Sequence, residues 1–218
     1  MCWNAKVSLN TFLFSMATIV LAYMNEYPVG ILLYVFAFAS MQLVEYFLWN
    51  VLDNPVLNRF FSKISILLLC IQPIAGILLL SSNKQLHFVY LFLLYLLTTF
   101  VVGYLQNKDN PKTLTTVSRN KHLIWTNDIT DSKNVFAQVL FWFAFLLYMF
   151  ITLAPLFFTK YYIMFFFLVT SLLLSLVAYL KDRTWGSMWC WFCNSICVYI
   201  VVEILFVRPL TNSKKPFI

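Results

Sequence analysis

Residues 185–207 read WGSMWCWFCNSICVYIVVEILFV. The run is long enough to cross a bilayer, which takes about 20 apolar residues in a helix. It holds one acid, Glu203, and no base. At about 100° per residue, Gly186, Ser187, Cys190, Cys193, Asn194 and Cys197 fall on one stripe of such a helix. Small residues let backbones approach, and an amide in hydrocarbon needs a partner, so the stripe predicts a second helix packed against it. The stretch argues for a multi-pass protein held together by close helix packing.

The rest of the chain agrees. Its 218 residues are 62% hydrophobic and 11% charged, with a mean hydropathy of +0.82. Soluble domains carry roughly 45–50% apolar and 25% charged residues, so a water-soluble fold could not hide this much apolar surface. Aromatic residues reach 19%, which suits lipid-facing and interfacial positions. The formal charge of +7 comes without a contiguous basic helix or an RNA-binding motif, so nucleic acid is not an expected partner. Charged loops beside a bilayer account for it. Five cysteines, an odd number mostly in or beside apolar runs, argue against a secreted disulfide framework and for thiols packed as small hydrophobes.

Hydrophobic runs predict an all-α, seven-helix transmembrane bundle forming a single domain over residues 1–218. The spans fall at about 7–24, 29–52, 60–80, 88–105, 135–158, 161–180 and 185–207. The first is read as a retained span, because only Lys6 precedes it and no small-residue cleavage site follows. The one substantial polar loop is 107–134. Within it, Thr113 to Val117 and His122 to Thr126 are β-prone and are separated by Ser118, Arg119, Asn120 and Lys121. That pattern predicts a hairpin between the fourth and fifth spans.

Seven crossings place Lys6, Arg59, Lys63, Lys108, Lys112, Arg119, Lys121, Lys133, Lys181 and Arg183 on the side of the N-terminus. Lys84, Lys160, Arg208, Lys214 and Lys215 fall on the other. Ten bases against five predict a cytoplasmic N-terminus and an external C-terminus.

Ionisable groups inside a span are costly, about 2.5–3.5 kcal/mol for an acid or base at a helix centre, and so are functional candidates. Glu45 sits in MQLVEYFLWN with Gln42 one turn before it. Buried there, the acid must be neutral or paired. It reads either as a proton- or cation-binding group or as a fastener between helices. Glu203 lies five residues before Arg208, near enough to the end of its span to reach toward the headgroups. Gln72 and Pro73 fall near the middle of the third span; proline frees a carbonyl one turn earlier, and the Gln amide reads either as satisfying freed groups or as facing a cavity. Glu45, Gln42, Gln72 and Asn194 are therefore the candidate ion- or proton-binding residues.

Cys190, Cys193 and Cys197 make a C-x-x-C-x-x-x-C pattern on one helical face. They are weak candidates for thiol-redox or metal chemistry, since three thiols on one helix do not complete a tetrahedral site alone. Packing is the expected role, and no metal or cofactor is called for. His87 and His122 both read as lying outside the spans, without an H-x-x-x-H, which removes the basis for a zinc hydrolase. The seventh span has no lysine to form a retinal Schiff base. Neither a phosphate-binding loop nor a nucleophile elbow occurs.

Several short motifs share a likeness. MCWNA at the start, SMQLVEYFLWN in the second span, DNPVLNR after it, IQP in the third, HLIW in the hairpin and WGSMWCWFCN in the last together resemble a family of small multi-pass membrane proteins. That family occurs in bacteria, algae and large DNA viruses, and its members begin Met-Cys-Trp-Ser-Ala or a close variant. The resemblance carries no activity with it. It implies Cys2, Trp3, Glu45, Gln72, Pro73, His122, Trp125, Trp189 and Cys190 as motif positions. Asn4 stands where the family has Ser, and little of its Gly-Asp-Trp precedes the histidine. With seven spans, Cys2, Trp3, His122, Trp125, Trp189 and Cys190 should gather at one membrane face above Glu45.

Three readings follow. The first is a bundle that moves or senses a small ion, a proton above all, at a polar site around Glu45. The second is a membrane thiol-redox or metal-binding protein using Cys190 and Cys193. The third is a structural or partner-binding membrane protein. The bilayer is the partner all three require; a homo-oligomer and a small ligand are compatible with each.

Overall fold

The computed structural model describes residues 4–109, 114–125 and 134–211. Within them the chain is all-α apart from one small hairpin. The first six long helices are α1 (Ala5–Met24), α2 (Val29–Asn50), α3 (Pro55–Ile77), α4 (Ser82–Asp109), α5 (Val135–Phe158) and α6 (Tyr162–Tyr179). The seventh membrane-length stretch, Trp185–Leu210, completes seven candidate spans among the described residues. Outward-facing Leu97, Phe100, Leu146, Phe166 and Val177 are exposed, a surface suited to lipid.

Asparagine side chains cap the starts of α1, α3 and α5. Asn4 accepts from the Val7 amide at 2.9 Å, and Asn134 from the Ala137 amide at 3.1 Å. Asn54 accepts from Val56 and Leu57 at 3.2 and 3.1 Å, with Pro55 at the first helical position, where its missing N–H costs nothing. That cap starts α3 five residues ahead of the expected span, and α4 continues past its expected end to Asp109. His87, expected outside the spans, lies within α4 on its exposed surface.

The seventh span is where the expectation of one continuous helix fails. It consists of α7 (Trp185–Cys193), α8 (Ser195–Val202), a π-helical turn over Glu203–Val207 and α9 (Arg208–Thr211). The first break is at Asn194. Its backbone N–H donates to Trp191 O at 3.0 Å, three residues back. Its side-chain Nδ2 takes over the Cys190 carbonyl at 2.7 Å, so the turn tightens without stranding an acceptor.

Proline is accommodated in a comparable way. Pro73 cannot donate to Leu69 O, and the Tyr95 hydroxyl of α4 donates to that carbonyl instead, at 3.2 Å. Of the two readings of Gln72, the one in which its amide serves the freed group is therefore corrected. Gln72 Nε2 donates to Ala37 O of α2 at 2.9 Å, and its Oε1 accepts from the Tyr148 hydroxyl of α5 at 2.6 Å. One amide thus ties α3 to two neighbours. Pro155 likewise cannot donate to Ile151 O, and that carbonyl lies against Gly76, where a Cβ would be only 2.8 Å from it.

Helix α2 sits centrally, packed on α1, α3 and α7; α5 joins α3, α4 and α6, and α6 backs α7. Phe38 and Tyr148 both meet the Trp189 ring edge-on, at centroid distances of 5.9 and 6.3 Å. The hairpin falls where expected. β1 (Thr116–Val117) pairs antiparallel with β2 (Leu123–Ile124), in the register Thr116 to Ile124 and Val117 to Leu123. Lys121, at φ 59°, takes the left-handed conformation of the turn.

Candidate functional site

The hairpin is not a solvated loop. Asn58 of α3 clasps Thr115 on both sides, Nδ2 donating to its carbonyl at 2.9 Å and Oδ1 accepting from its N–H at 3.0 Å. Ser62 and Thr115 share a hydroxyl bond of 2.8 Å, and Asn120 donates to Asp182. Thus anchored, the hairpin buries Leu123 completely among Met41, Val44, Leu48 and Cys190. Trp125 lies against α7 at Gly186, where a Cβ would stand 3.3 Å from the indole ring. Glycine at 186 lets the ring approach that closely.

Beneath the hairpin is Glu45, fully buried five residues before the end of α2. Gln42 Nε2 donates to its Oε2 at 3.1 Å, and Ser187 Oγ of α7 donates to its Oε1 at 2.8 Å. Sequence periodicity joins Gln42 to Glu45, whereas in sequence Ser187 is only a small residue of the packing stripe. Gln72 and Asn194 are held elsewhere. Gln72 is committed to Ala37 and Tyr148. Asn194 Oδ1 accepts from Ser15 of α1 at 3.0 Å, while its Nδ2 serves Cys190 O. The four candidate residues therefore form three separate junctions between helices.

Ser187 also helps line a cavity of about 150 Å³ between α3, α4, α5, α7 and the hairpin. Its walls include Tyr95, Tyr148, Trp125, Trp185, Trp189 and Cys190. Glu45, Gln42, Gln72 and Asn194 are not among the lining residues, so Ser187 is the bridge from acid to cavity.

Among the motif positions, Trp125 and Cys190 pack in one cluster. Trp189 donates to Leu168 O at 3.4 Å. His122 meets Tyr179 edge-on at 5.6 Å, and burial lowers the pKa of its imidazole, an effect opposed by Asp182. Cys2 and Trp3 lie outside the described residues. Cys190, Cys193 and Cys197 are buried free thiols. Among the described residues, no group of three or more His, Cys, Asp or Glu side chains gathers as a metal site would require.

The opposite end of the seventh span holds a constellation that the sequence reading missed. Glu203 does not reach toward the headgroups; it is 2% exposed. It accepts from Arg208 Nε at 3.1 Å and from the Tyr27 hydroxyl. Arg208 also donates to Asn25 O at 2.9 Å and lies 4.6 Å from the centre of the Tyr27 ring. Burial and the neighbouring Glu203 push the Tyr27 phenol well above its ordinary pKa. In a regular α-helix residues five apart diverge, whereas the π-helical turn, with its i→i+5 bonding, brings them to one face. An acid and a base spaced by five in an apolar run was the available signal.

Seven membrane-length helices, a lipid-suited exterior and a buried acid beneath a docked hairpin define an integral multi-pass membrane protein. No protein-family model, curated protein or solved structure matches the chain.

Proposed function

We propose that this protein binds and releases a proton at Glu45 and thereby moves or senses protons at the membrane. The observation that carries the reading is the position of Ser187, which donates to Glu45 Oε1 at 2.8 Å and also lines the cavity under the hairpin. A fully buried acid is thereby one hydrogen bond from a space large enough for water. Gln42 and Ser187 hold the carboxyl in place, while Gln72 and Asn194 fasten the helices around it. An acid built into a bundle at this cost is a functional candidate by default.

In this reading the N-terminus and the hairpin are cytoplasmic and the C-terminus external, supported by the excess of Lys and Arg on the hairpin side. His122, Trp125, Trp189 and Cys190 belong to that same face. Kinship with the Met-Cys-Trp family of bacteria, algae and large DNA viruses is part of the proposal and rests on the motifs quoted above.

The test uses Glu45→Gln, which keeps the shape and an acceptor for Ser187 but removes the exchangeable proton. In liposomes the wild type should pass protons down an imposed gradient and the variant should not. In infrared spectra recorded against pH, a carboxyl band of the wild type should titrate and be missing from the variant. Equal flux in both together with no titrating band refutes the reading, as does flux in neither with no such band.

A further inference from the structure

The cavity beside Ser187 is confined to one half of the bundle. From α4 it takes Tyr95, Thr99, Val102 and Gln106, a stripe on one helical face that runs about 16 Å along the helix toward its end at Asp109. From α7 it takes residues of the first turns only, and from α3 and α5 mid-helix residues such as Cys70 and Tyr148. Residues 71–77 of α3, 82–94 of α4, 150–158 of α5 and all of α8 contribute nothing to its wall. The end of α4, the start of α7 and the hairpin share one end of the bundle, so the cavity reaches from mid-membrane to the hairpin side and no further. Its outer end is polar, with half-buried Gln106 and Arg183 in the wall. An amide and a guanidinium there hold water. At its inner end the Tyr95 and Tyr148 hydroxyls donate to Leu69 O and Gln72 Oε1, at 3.2 and 2.6 Å, and so bind the floor together.

Glu45 is placed with the same asymmetry. It stands about 8 Å from the end of α2 at Asn50, on the hairpin side, and about 24 Å from the start of that helix at Val29. The longer way is filled by Ile31, Tyr34, Phe38, Ile151 and Leu156, none more than 3% exposed. Tyr34 is tied to Thr152 O across it at 3.1 Å. Side chains packed so closely leave no room for a file of water. The geometry points to one-sided access: protons reach Glu45 from the hairpin side alone, through water in the cavity and the Ser187 hydroxyl. This rests on the reading of Glu45 as the proton-binding group and adds the side from which it is served. A hydroxyl accepts with its lone pairs while it donates. Ser187 Oγ therefore takes a proton from a hydronium in the cavity as it gives its own to Glu45 Oε1, leaving water, an unchanged hydroxyl and a neutral carboxyl. The other ionisable groups of the wall are Cys70, Tyr95, Tyr148, Cys190 and Arg183. Thiols and phenols stay protonated at neutral pH and guanidinium stays charged, so the proton exchanged is that of Glu45. Gly103, at the edge of the α4 stripe, keeps the entrance wide, since a Cβ there meets no atom within 4 Å. Sensing needs only this half-route, whereas passage across the membrane also needs the packing beyond Tyr148 to part.

The experiment follows the Glu45 carboxyl band by rapid-mixing infrared spectroscopy in sealed liposomes. A tag after the last span, which ends across the membrane from the hairpin, sorts the vesicles by orientation on an affinity resin. Both populations are poised at the midpoint of the band and given an external acid jump. With the hairpin outward the band should rise on mixing, and with the hairpin inward at least about tenfold more slowly. Gly103→Ala, Gly103→Leu and Gly103→Phe should slow the hairpin-side response in order of size, with midpoint and helix content unchanged. Gln106→Leu, which dries the entrance, should slow it too. Equal rates from the two sides, a faster response from the far side, or a hairpin-side rate that none of these four variants alters overturns the inference and leaves Glu45 as the proton-binding group. Absence of any titrating band that Glu45→Gln removes refutes that reading itself, and the route with it.

Discussion

Replacing Gly76 with alanine should pry α5 from α3, and the structure sets the size of the effect. An added Cβ would stand 2.8 Å from Ile151 O and 3.2 Å from Thr152 O, both backbone atoms of α5, against an ordinary contact that begins at 3.4 Å. Relieving the closer clash needs 3.4 − 2.8 = 0.6 Å of separation. The Tyr148–Gln72 bond, at 2.6 Å, survives such a stretch. The bond from Tyr34 to Thr152 O, already 3.1 Å, does not. Overpacking costs about 1–3 kcal/mol and the lost interhelical bond about 0.6 kcal/mol. The better helix propensity of alanine returns about 1 kcal/mol. The net expectation is a loss of about 0.6–2.6 kcal/mol, read from equilibrium unfolding in mixed micelles. Gly103→Ala is the matched control: the same substitution in open space should leave stability unchanged or raise it by up to about 1 kcal/mol. A Gly76→Ala protein as stable as the wild type would refute the argument that close backbone approach at this glycine holds α3 to α5.

Arg208→Leu leaves Glu203 buried without its cation and should destabilise the protein by about 3–5 kcal/mol. The double replacement with Glu203→Leu should recover most of that loss; thermal unfolding of the single and double variants decides it. Asn58→Ala removes both bonds to the Thr115 backbone and should free the hairpin, so that trypsin cleaves after Arg119 or Lys121 at least about tenfold faster. His122 has a folded-state pKa below its ordinary 6.5, so the unfolded hairpin binds more protons in that window. Its contribution to docking is present above pH 6.5 and lost as pH falls from there through the folded value. Hydrogen exchange in the hairpin, corrected for intrinsic rates, should rise on acidification in the wild type and stay level in His122→Gln.

Much of this architecture follows from local composition. Seven predominantly apolar runs of membrane length are satisfied as helices in a bilayer, and two β-prone stretches around a polar tetrad close as a hairpin, so both are legible from local sequence. The pairing of Gln42 with Glu45 was legible too, because a three-residue spacing puts both on one helical face. The partners supplied by distant segments were not. Ser187 reaches Glu45, Tyr95 serves the carbonyl that Pro73 abandons, and Ser15 engages Asn194, each across a gap in sequence that no periodicity encodes. The seventh span shows the same division. Its length and apolarity came from composition, whereas its break at Asn194 and its π-helical turn at Glu203 depend on which atoms stood ready to accept or donate once the helices had packed. The sequence by itself determined how many membrane-length spans there are and which stretches are apolar, since hydropathy and period are properties of adjacent residues. Tertiary structure decided which polar groups meet and where the cavity lies, since hydrogen bonds in hydrocarbon are short-ranged and are set by the final approach of one backbone to another.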